Sequence, residues 1–178
     1  MTETAKRYGG SLYELAQDEG LAEELLAQLQ VAEECLRQNP DYMRLLTATA
    51  VPQKERTVLL DQAFEGAHPY LVNFMKLLCD EGLMPEFHGC VQAYRTRYNR
   101  DRGIAEVVVT SAVPLTAENR QKLAERLTAI TGKKITLKEK IDPSVLGGLR
   151  LDMDGVRLDG TVQRHLERLR EEIDGATL

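Results

Sequence analysis

The stretch VLGGLRLDMDGVRLDGTVQRHL, Val145 to Leu166, decides the fold class of the second half of the chain. Its four glycines and three aspartates suggest a calcium loop, a phosphate loop or the turns of a small sheet. A calcium loop with its invariant glycine at Gly155 would begin at Arg150 and end at Thr161, where carboxylates are required. A phosphate loop needs GxxxxGK followed by Ser or Thr, and Gly147-Gly148 does not form GxGxxG either. The turns of a sheet are therefore the interpretation that remains.

Alternating apolar and polar residues in LRLDMDGVRLD predict a β-hairpin with one apolar face. Asp154-Gly155, between the two runs, is the preferred pair for a two-residue hairpin turn. The apolar side of the hairpin consists of Leu149, Leu151, Met153, Val156 and Leu158. Asp159 then stands where it can cap a final helix. The apolar stripe of that helix is formed by Val162, Leu166, Leu169 and Ile173.

The residues between Gly103 and the hairpin predict two more strands and a helix. IAEVVVTSAV is β-branched and typical of a strand. PLTAENRQKLAERLTAITG is a helix in which Thr116 and Asn119 form a partial capping box. KKITLKEKI alternates, with Ile135, Leu137 and Ile141 on its apolar side. Residues 104–178 are thus expected to form a small mixed α/β domain.

The first hundred residues are predicted to be helical, because apolar residues recur there at helical spacing. Pro40 and Pro52 stand where a helix can start, and Gly82 and Gly103 stand where helices end. Six helices with short connections predict a bundle over residues 1–103. The expected fold class is therefore α+β: an N-terminal six-helix bundle, then a small α/β domain with a hairpin and a C-terminal helix.

Two helices of the bundle have unusual sequences. The fifth, HPYLVNFMKLLCDEG, is apolar on nearly every side, so it is either fully buried or offers a face to a partner. The first contains Gly9 and Gly10, each of which costs a helix roughly 1 kcal/mol relative to alanine. These glycines indicate either a frayed first turn with the helix beginning near Ser11, or a groove in which another helix lies tightly.

Composition restricts the class of protein. With 178 residues, 43% hydrophobic and 29% charged, the chain is an ordinary folded protein of one domain or two small ones. A net charge of −5 argues against a general nucleic-acid binder, and no apolar run approaches the roughly 18 residues of a membrane span. Cys35, Cys79 and Cys90 are too widely spaced for a disulfide framework or a zinc site, which favours reduced thiols in a cytoplasm.

Few residues are candidates for a catalytic, metal-binding or nucleic-acid-binding role. His68, His88 and His165 have no metal-type spacing, so we expect neither a metal nor another cofactor. The segment YRTRYNRDR resembles a nucleic-acid patch, but its tyrosines fall on the apolar stripe of the sixth helix. Its four cations lie near a helix C-terminus, where they favour the helix dipole: Arg95, Arg97, Arg100 and Arg102. No nucleic-acid partner is therefore expected, and no catalytic constellation is found.

The arrangement resembles the delta subunit of the bacterial F-type ATP synthase, the family that includes the mitochondrial oligomycin-sensitivity-conferring protein. YGGSLYELA is similar to the family's YAxALFELA, and Gly9-Gly10 departs from it. The C-terminal signature is more specific. Its matching positions include Asp142, Pro143, Gly147, Gly148, Asp159, Gly160 and Thr161, the last of which is usually serine in the family.

The resemblance implies a mechanical function without catalysis. A delta subunit belongs to the peripheral stalk, or stator, which links the catalytic head to the b stalk and resists rotor torque. Residues 1–103 would bind the N-terminal helix of an alpha subunit, and residues 104–178 would bind the C-terminus of the b subunit. The chain would then lie at the cytoplasmic face of the bacterial membrane and associate with it only through the complex. The alternative is a free-standing adaptor that captures some other amphipathic helix.

The resemblance also implies that the alpha-subunit helix lies in a groove between the first and fifth helices. The expected lining residues are Tyr8, Ser11, Leu15, Asn73, Lys76, Leu77 and Asp80. Of these, Asn73, Leu77 and Asp80 share one helix face, while Phe74 and Leu78 are assigned to the core. Leu77 is expected to anchor the bound helix, and Lys76 and Asp80 to set its register.

Overall fold

The computed structural model describes residues 1–48, 50–145, 147–153 and 156–160. The chain divides into two compact units, Met1–Tyr98 and Asn99–Leu178. Within the described ranges it is an α+β protein with seven α-helices and a four-stranded mixed sheet. None of the helices in those ranges is both long enough and apolar enough to cross a bilayer.

The first unit is helical, and its helices begin and end near the residues that the sequence indicates. Thr2 caps the first helix by accepting a hydrogen bond from the Ala5 amide, and Pro40 and Pro69 occupy first-turn positions. A short 3-10 helix, Met84–Glu86, precedes the sixth helix. The helices are α1 Glu3–Asp18, α2 Ala22–Gln38, α3 Pro40–Thr47, α4 Gln53–Ala63, α5 Pro69–Asp80 and α6 Phe87–Asp101.

The core of the first unit is built around α6. Phe87, Val91 and Tyr94 are almost completely buried, which confirms the apolar face predicted for this helix. The Tyr94 hydroxyl donates a hydrogen bond to the Ala22 carbonyl oxygen at 2.9 Å, so this buried polar group is satisfied. The Tyr94 ring meets the edge of Tyr13 with ring centroids 5.3 Å apart. Helices α1 and α2 are thereby fixed against α6.

Gly9 and Gly10 lie inside α1, and both are buried. A Cβ atom on Gly9 would overlap the Cys90 carbonyl oxygen and lie 2.9 Å from the Cβ of Ala93, both on α6. A Cβ atom on Gly10 would meet the guanidinium of Arg97 instead. The prediction of a frayed first turn is therefore wrong. A helix does lie tightly against the glycines, but it is α6 of the same unit and not a partner.

The second unit is a sheet with strand order β2-β1-β3-β4. Strand β1 pairs in parallel with β2 and antiparallel with β3, and β3 pairs antiparallel with β4. Helix α7 is the crossover between the parallel strands and is capped by Thr116, which accepts from the Asn119 amide. The elements are β1 Ile104–Ser111, α7 Ala117–Thr131, β2 Lys134–Ile141, β3 Leu149–Met153 and β4 Val156–Asp159.

The core of the second unit lies between α7 and one face of this sheet. Val107 and Val109 of β1 and Leu127 of α7 are buried at its centre. The half-buried residues that pack against them are Leu115, Leu123, Ile135, Leu137, Leu149, Leu151 and Met153. The predicted hairpin is confirmed by its register, in which Met153 pairs with Val156. Its turn, Asp154-Gly155, and the predicted final helix lie outside the described residues.

Three apolar residues of the sheet are more exposed than the sequence predicts. Ile141 is 53% exposed because it is the last residue of β2, beyond the strand positions that pack on the core. Val156 and Leu158 are 58% and 56% exposed. They lie on β4, at the edge of the sheet. Among the described residues of this hairpin, only those of β3 pack against the core around α7. The alternating sequence pattern therefore predicted the apolar face of the sheet, but it did not predict how far the core extends across that face.

We propose that the two units fold independently, and limited proteolysis tests this. The chain changes from helix to strand at Gly103, which has a left-handed φ of 62° and follows two arginines. Trypsin is expected to cut near Arg102–Ile104 and release a helical fragment of about 100 residues that retains its circular dichroism. Cleavage scattered through α1–α6, or a released fragment that is unfolded, would contradict independent folding.

Candidate functional site

The outward face of α5 carries three residues at one-turn spacing, Asn73, Leu77 and Asp80, and all three are exposed. Leu77 is 45% exposed, although its neighbour Leu78 is fully buried. The assignment of Phe74 and Leu78 to the core is confirmed. Although α5 is apolar on nearly every side, it therefore presents one leucine to solvent and is not fully buried.

Lys76 lies beside this face but does not present a free charge. Its ammonium group is 2.6 Å from a carboxylate oxygen of Asp61 on α4. No local sequence pattern indicates this partner, because 15 positions separate the two residues in the chain. Lys76 therefore ties α5 to α4, and Asp80 is left as the charged residue on the outward face.

The outward face of α1 carries the other predicted residues. Ser11 and Leu15 are exposed, Leu15 by 43%, and Tyr8 is half-buried. Asp18 continues the same face, three residues after Leu15, and is also exposed. Asp18 was not among the predicted site residues, although helical spacing alone could have identified it.

Helices α1 and α5 run in opposite senses along the first unit. The Thr2 hydroxyl, just before α1, donates to the Glu86 carboxylate at 2.6 Å, and Glu86 lies six residues after the end of α5. The start of α1 and the end of α5 are thus at the same end of the unit. The start of α5 lies away from that end, beside α2, where the His68 amide donates to the Gln28 side chain at 2.7 Å.

The arginines of α6 are largely neutralised, and the tyrosines between them, Tyr94 and Tyr98, are buried. Arg97 forms an ion pair with Glu14 of α1, and Arg95 lies 3.6 Å from Glu33 of α2. Farther along, Arg100 lies 3.5 Å from Asp101. Arg97 and Arg95 hold α6 against α1 and α2, and Arg100 is paired within α6. These arginines therefore do not form the basic aromatic surface that single-stranded nucleic acid requires.

Three titratable groups in the core of the first unit, Cys79, Cys90 and Tyr94, have a raised pKa. Burial, with the nearby charge of Glu86, raises the pKa of Cys90 to about 11. Burial also raises the pKa of Cys79 and of Tyr94. Among the described residues, no group of three or more His, Cys, Asp or Glu side chains is placed to hold a metal ion. The burial and raised pKa of Cys79 and Cys90 favour a packing role for these two cysteines, since the reactive form of a thiol is the thiolate.

A cleft of about 740 Å³ lies elsewhere in the first unit, between α2, α3 and the connection from α4 to α5. Its walls are mostly apolar and include Val31, Cys35 and Phe64. None of the seven predicted site residues lines it. The cleft and the outward faces of α1 and α5 are therefore different surfaces.

The signature residues shape the segment before the hairpin. The Asp142 carboxylate accepts hydrogen bonds from the Ser144 amide at 3.0 Å and from its hydroxyl at 2.6 Å, and these bonds lower the pKa of Asp142. Gly148 has a φ of 85°, which side chains rarely tolerate. The Gly160 amide donates to the Leu149 carbonyl at 3.0 Å, and a Cβ at Gly160 would lie 3.3 Å from the same oxygen. Asp142 is thus a hydrogen-bond acceptor, and Gly148 and Gly160 stand where a side chain would be strained or crowded; Thr161 lies outside the described residues.

Comparison with known proteins gives consistent matches over nearly the whole chain. The family model of the ATP synthase delta (OSCP) subunit matches residues 4–173. A protein of Exiguobacterium named ATP synthase subunit delta is 32% identical over 169 residues, covering 95% of this chain and 96% of the relative. A protein of the same name from Moorella thermoacetica is 30% identical over 172 residues, covering 97% of each chain.

A solved structure shares the fold. A chain in the cryo-EM structure of the Toxoplasma gondii mitochondrial ATP synthase hexamer matches with a TM-score of 0.75 at 21% identity. The match covers 97% of this chain and 98% of that chain.

Proposed function

Since the chain belongs to the ATP synthase delta (OSCP) subunit family, and is thus a non-catalytic peripheral-stalk subunit of an F-type ATP synthase, we propose that it binds two different parts of that enzyme. In this proposal residues 1–103, a six-helix bundle that contains the first unit, bind the N-terminal helix of an alpha subunit. Residues 104–178 bind the C-terminal end of the b subunit. The chain then lies at the cytoplasmic face of the bacterial membrane.

The observation that supports the alpha-subunit site is the pair of exposed leucines, Leu15 on α1 and Leu77 on α5. Each lies on an outward helix face and is followed by a buried residue, Ala16 after Leu15 and Leu78 after Leu77. An amphipathic helix placed between them would remove the exposed 43% and 45% of the two side chains from water, worth roughly 0.6–1.4 kcal/mol for each leucine. Tyr8, Ser11 and Asn73 would supply the rest of the contact.

Two interfaces of moderate affinity are sufficient for a stator subunit. Joining two binding units in one chain makes the second contact intramolecular and raises overall avidity by roughly 10²–10⁴ when the geometry allows both contacts at once. The chain can therefore resist torque as a link between head and stalk without one very tight interface. A free-standing adaptor would need only one of the two contacts, and membership of the family favours the link.

Reconstitution tests this function. The purified full chain, mixed with catalytic heads from the same organism that have been stripped of their own copy, is expected to co-elute with them on gel filtration. Heads whose alpha subunits have lost their N-terminal segments by mild proteolysis serve as the matched control and are expected not to retain the chain. Equal retention by intact and trimmed heads would contradict the alpha-subunit site.

A further inference from the structure

Helices α1 and α5 end with the same sequence pattern. Residues 15–21 read LAQDEGL and residues 77–83 read LLCDEGL. In both, the exposed leucine is followed three residues later by the last residue of the helix, Asp18 or Asp80. In both, the next glycine is left-handed, with φ of 71° at Gly20 and 69° at Gly82. The repeat gives both helices the same acidic C-terminal end.

These acidic ends are unfavourable for the isolated helices. The C-terminus of a helix carries a partial negative charge, so a carboxylate there typically destabilises the helix, by roughly 0.3–1 kcal/mol. Neither α1 nor α5 has a basic residue in its last turn to offset this. Glu19 and Glu81, the C-cap residues, add a second carboxylate at each end. Each end therefore concentrates negative charge beside an exposed leucine.

Three other acids of these helices and of α4 are paired. Glu14 binds Arg97, Glu3 binds Lys6 at 2.5 Å, and Asp61 binds Lys76 at 2.6 Å. In the part of the chain that the structure describes, no ion pair involves Asp18 or Asp80. Residues 1–98 also carry nine Lys and Arg against fifteen Asp and Glu, a net charge of −6. The electrostatic complement of this surface is a cation.

From these observations we propose that the occupant of the surface between α1 and α5 is a helix with a basic residue at each end of its apolar stripe, and that Asp18 and Asp80 bind those two cations. The inference rests on the proposed function, because it specifies the occupant of the same surface. Since the two helices run in opposite senses, their acidic ends lie toward opposite ends of the surface. Each basic residue of the occupant would meet a carboxylate and a helix C-terminus together.

Asp18 and Asp80 would select a bound helix by the spacing of its two basic residues. Two like charges fix the spacing of the occupant's cations, and hence its register, but they do not fix its direction. Direction would come from the residues that differ between the two faces, such as Tyr8 on α1 and Asn73 on α5. Lys76, which is paired with Asp61, does not contribute to register in this arrangement.

The test measures binding of a fluorescent peptide that comprises the N-terminal segment of the alpha subunit from the same organism. Full-length wild type, Asp18→Asn, Asp80→Asn and the double variant are compared by anisotropy from about 20 mM to about 500 mM NaCl. Each single variant is expected to weaken binding about threefold at low salt, and the double variant about tenfold. The differences should disappear at high salt, because these charges are exposed to solvent.

Glu55→Gln is the matched control. Glu55 is exposed in the first turn of α4, and its replacement removes the same charge away from the surface between α1 and α5. It is expected to change affinity less than twofold. A second control is a peptide in which every Lys and Arg is replaced by Gln, which should bind the wild type and the double variant equally. The double variant should unfold at the same or a higher temperature than wild type, because it loses the unfavourable helix ends.

The outcomes separate the inference from the proposed function. If the double variant binds like wild type at low salt, or Glu55→Gln weakens binding equally, the charge inference is wrong. If Leu77→Asp still removes binding in that case, the surface between α1 and α5 remains the binding site. If Leu77→Asp also binds normally, the alpha-subunit helix binds elsewhere and both proposals fail.

Discussion

Replacing Gly9 by alanine is expected to lower the free energy of unfolding of the first unit by about 2 kcal/mol. The added Cβ would overlap the Cys90 carbonyl oxygen and lie 2.9 Å from the Cβ of Ala93. The Cys90 oxygen is a backbone atom and the Ala93 Cβ is bonded directly to the backbone, so neither can rotate away and α1 and α6 must move apart. Overpacking costs typically 1–3 kcal/mol and occasionally more. The overlap with backbone atoms places Gly9→Ala at the upper end of that range, and the roughly 1 kcal/mol that alanine gains in a helix leaves a net loss of about 2 kcal/mol.

Gly10→Ala is the internal control for this prediction. Its Cβ would meet only the end of the Arg97 side chain, 2.7 Å from Cζ, and that end can rotate away. The loss is limited to the exposed Arg97–Glu14 ion pair, worth about 0–1 kcal/mol, and the gain in helix propensity is similar in size. Urea unfolding followed by circular dichroism should therefore show a clear loss for Gly9→Ala and little change for Gly10→Ala. Equal stability of both variants would contradict the close packing of α1 on α6.

Replacing Leu77 by aspartate is expected to weaken binding of the alpha N-terminal peptide by more than tenfold while the first unit remains folded. The side chain is 45% exposed, so a carboxylate can remain in water in the free protein. In the complex the same carboxylate would be buried without a partner, next to the charge of Asp80. Binding would bury only the exposed 45% of the leucine, so its loss costs roughly 0.7–1.4 kcal/mol. Together with the cost of burying an unpaired carboxylate, this exceeds the roughly 1.4 kcal/mol that corresponds to a tenfold change.

Leu78→Asp is the matched variant for this experiment. Leu78 is the next residue along α5 and is fully buried, so the same substitution there is expected to unfold the first unit. Circular dichroism distinguishes the two variants before binding is measured by anisotropy. Normal binding by folded Leu77→Asp would place the site elsewhere, and unfolding of Leu77→Asp would mean that this face of α5 belongs to the core.

The fold class and most element boundaries could be predicted from the sequence, because they depend on interactions between residues close in the chain. Asp154-Gly155 between two alternating runs predicted the hairpin, and the observed pairing of Met153 with Val156 has the register that a two-residue turn imposes. Thr116 caps α7 in the manner that its spacing to Asn119 predicts. The family was also identifiable at this level, since its signature is a local run of residues.

Only the tertiary structure decided which surfaces face each other. Helical periodicity identified Gly9 and Gly10 as unusual, but the partner that fills the space above them, α6, begins 77 residues later. The neutralisation of Lys76 by Asp61 and the exposure of Val156 and Leu158 were likewise absent from local patterns. Periodicity gives the direction of each side chain relative to its own helix or strand, but burial and pairing depend on the neighbour that chain topology brings to that face.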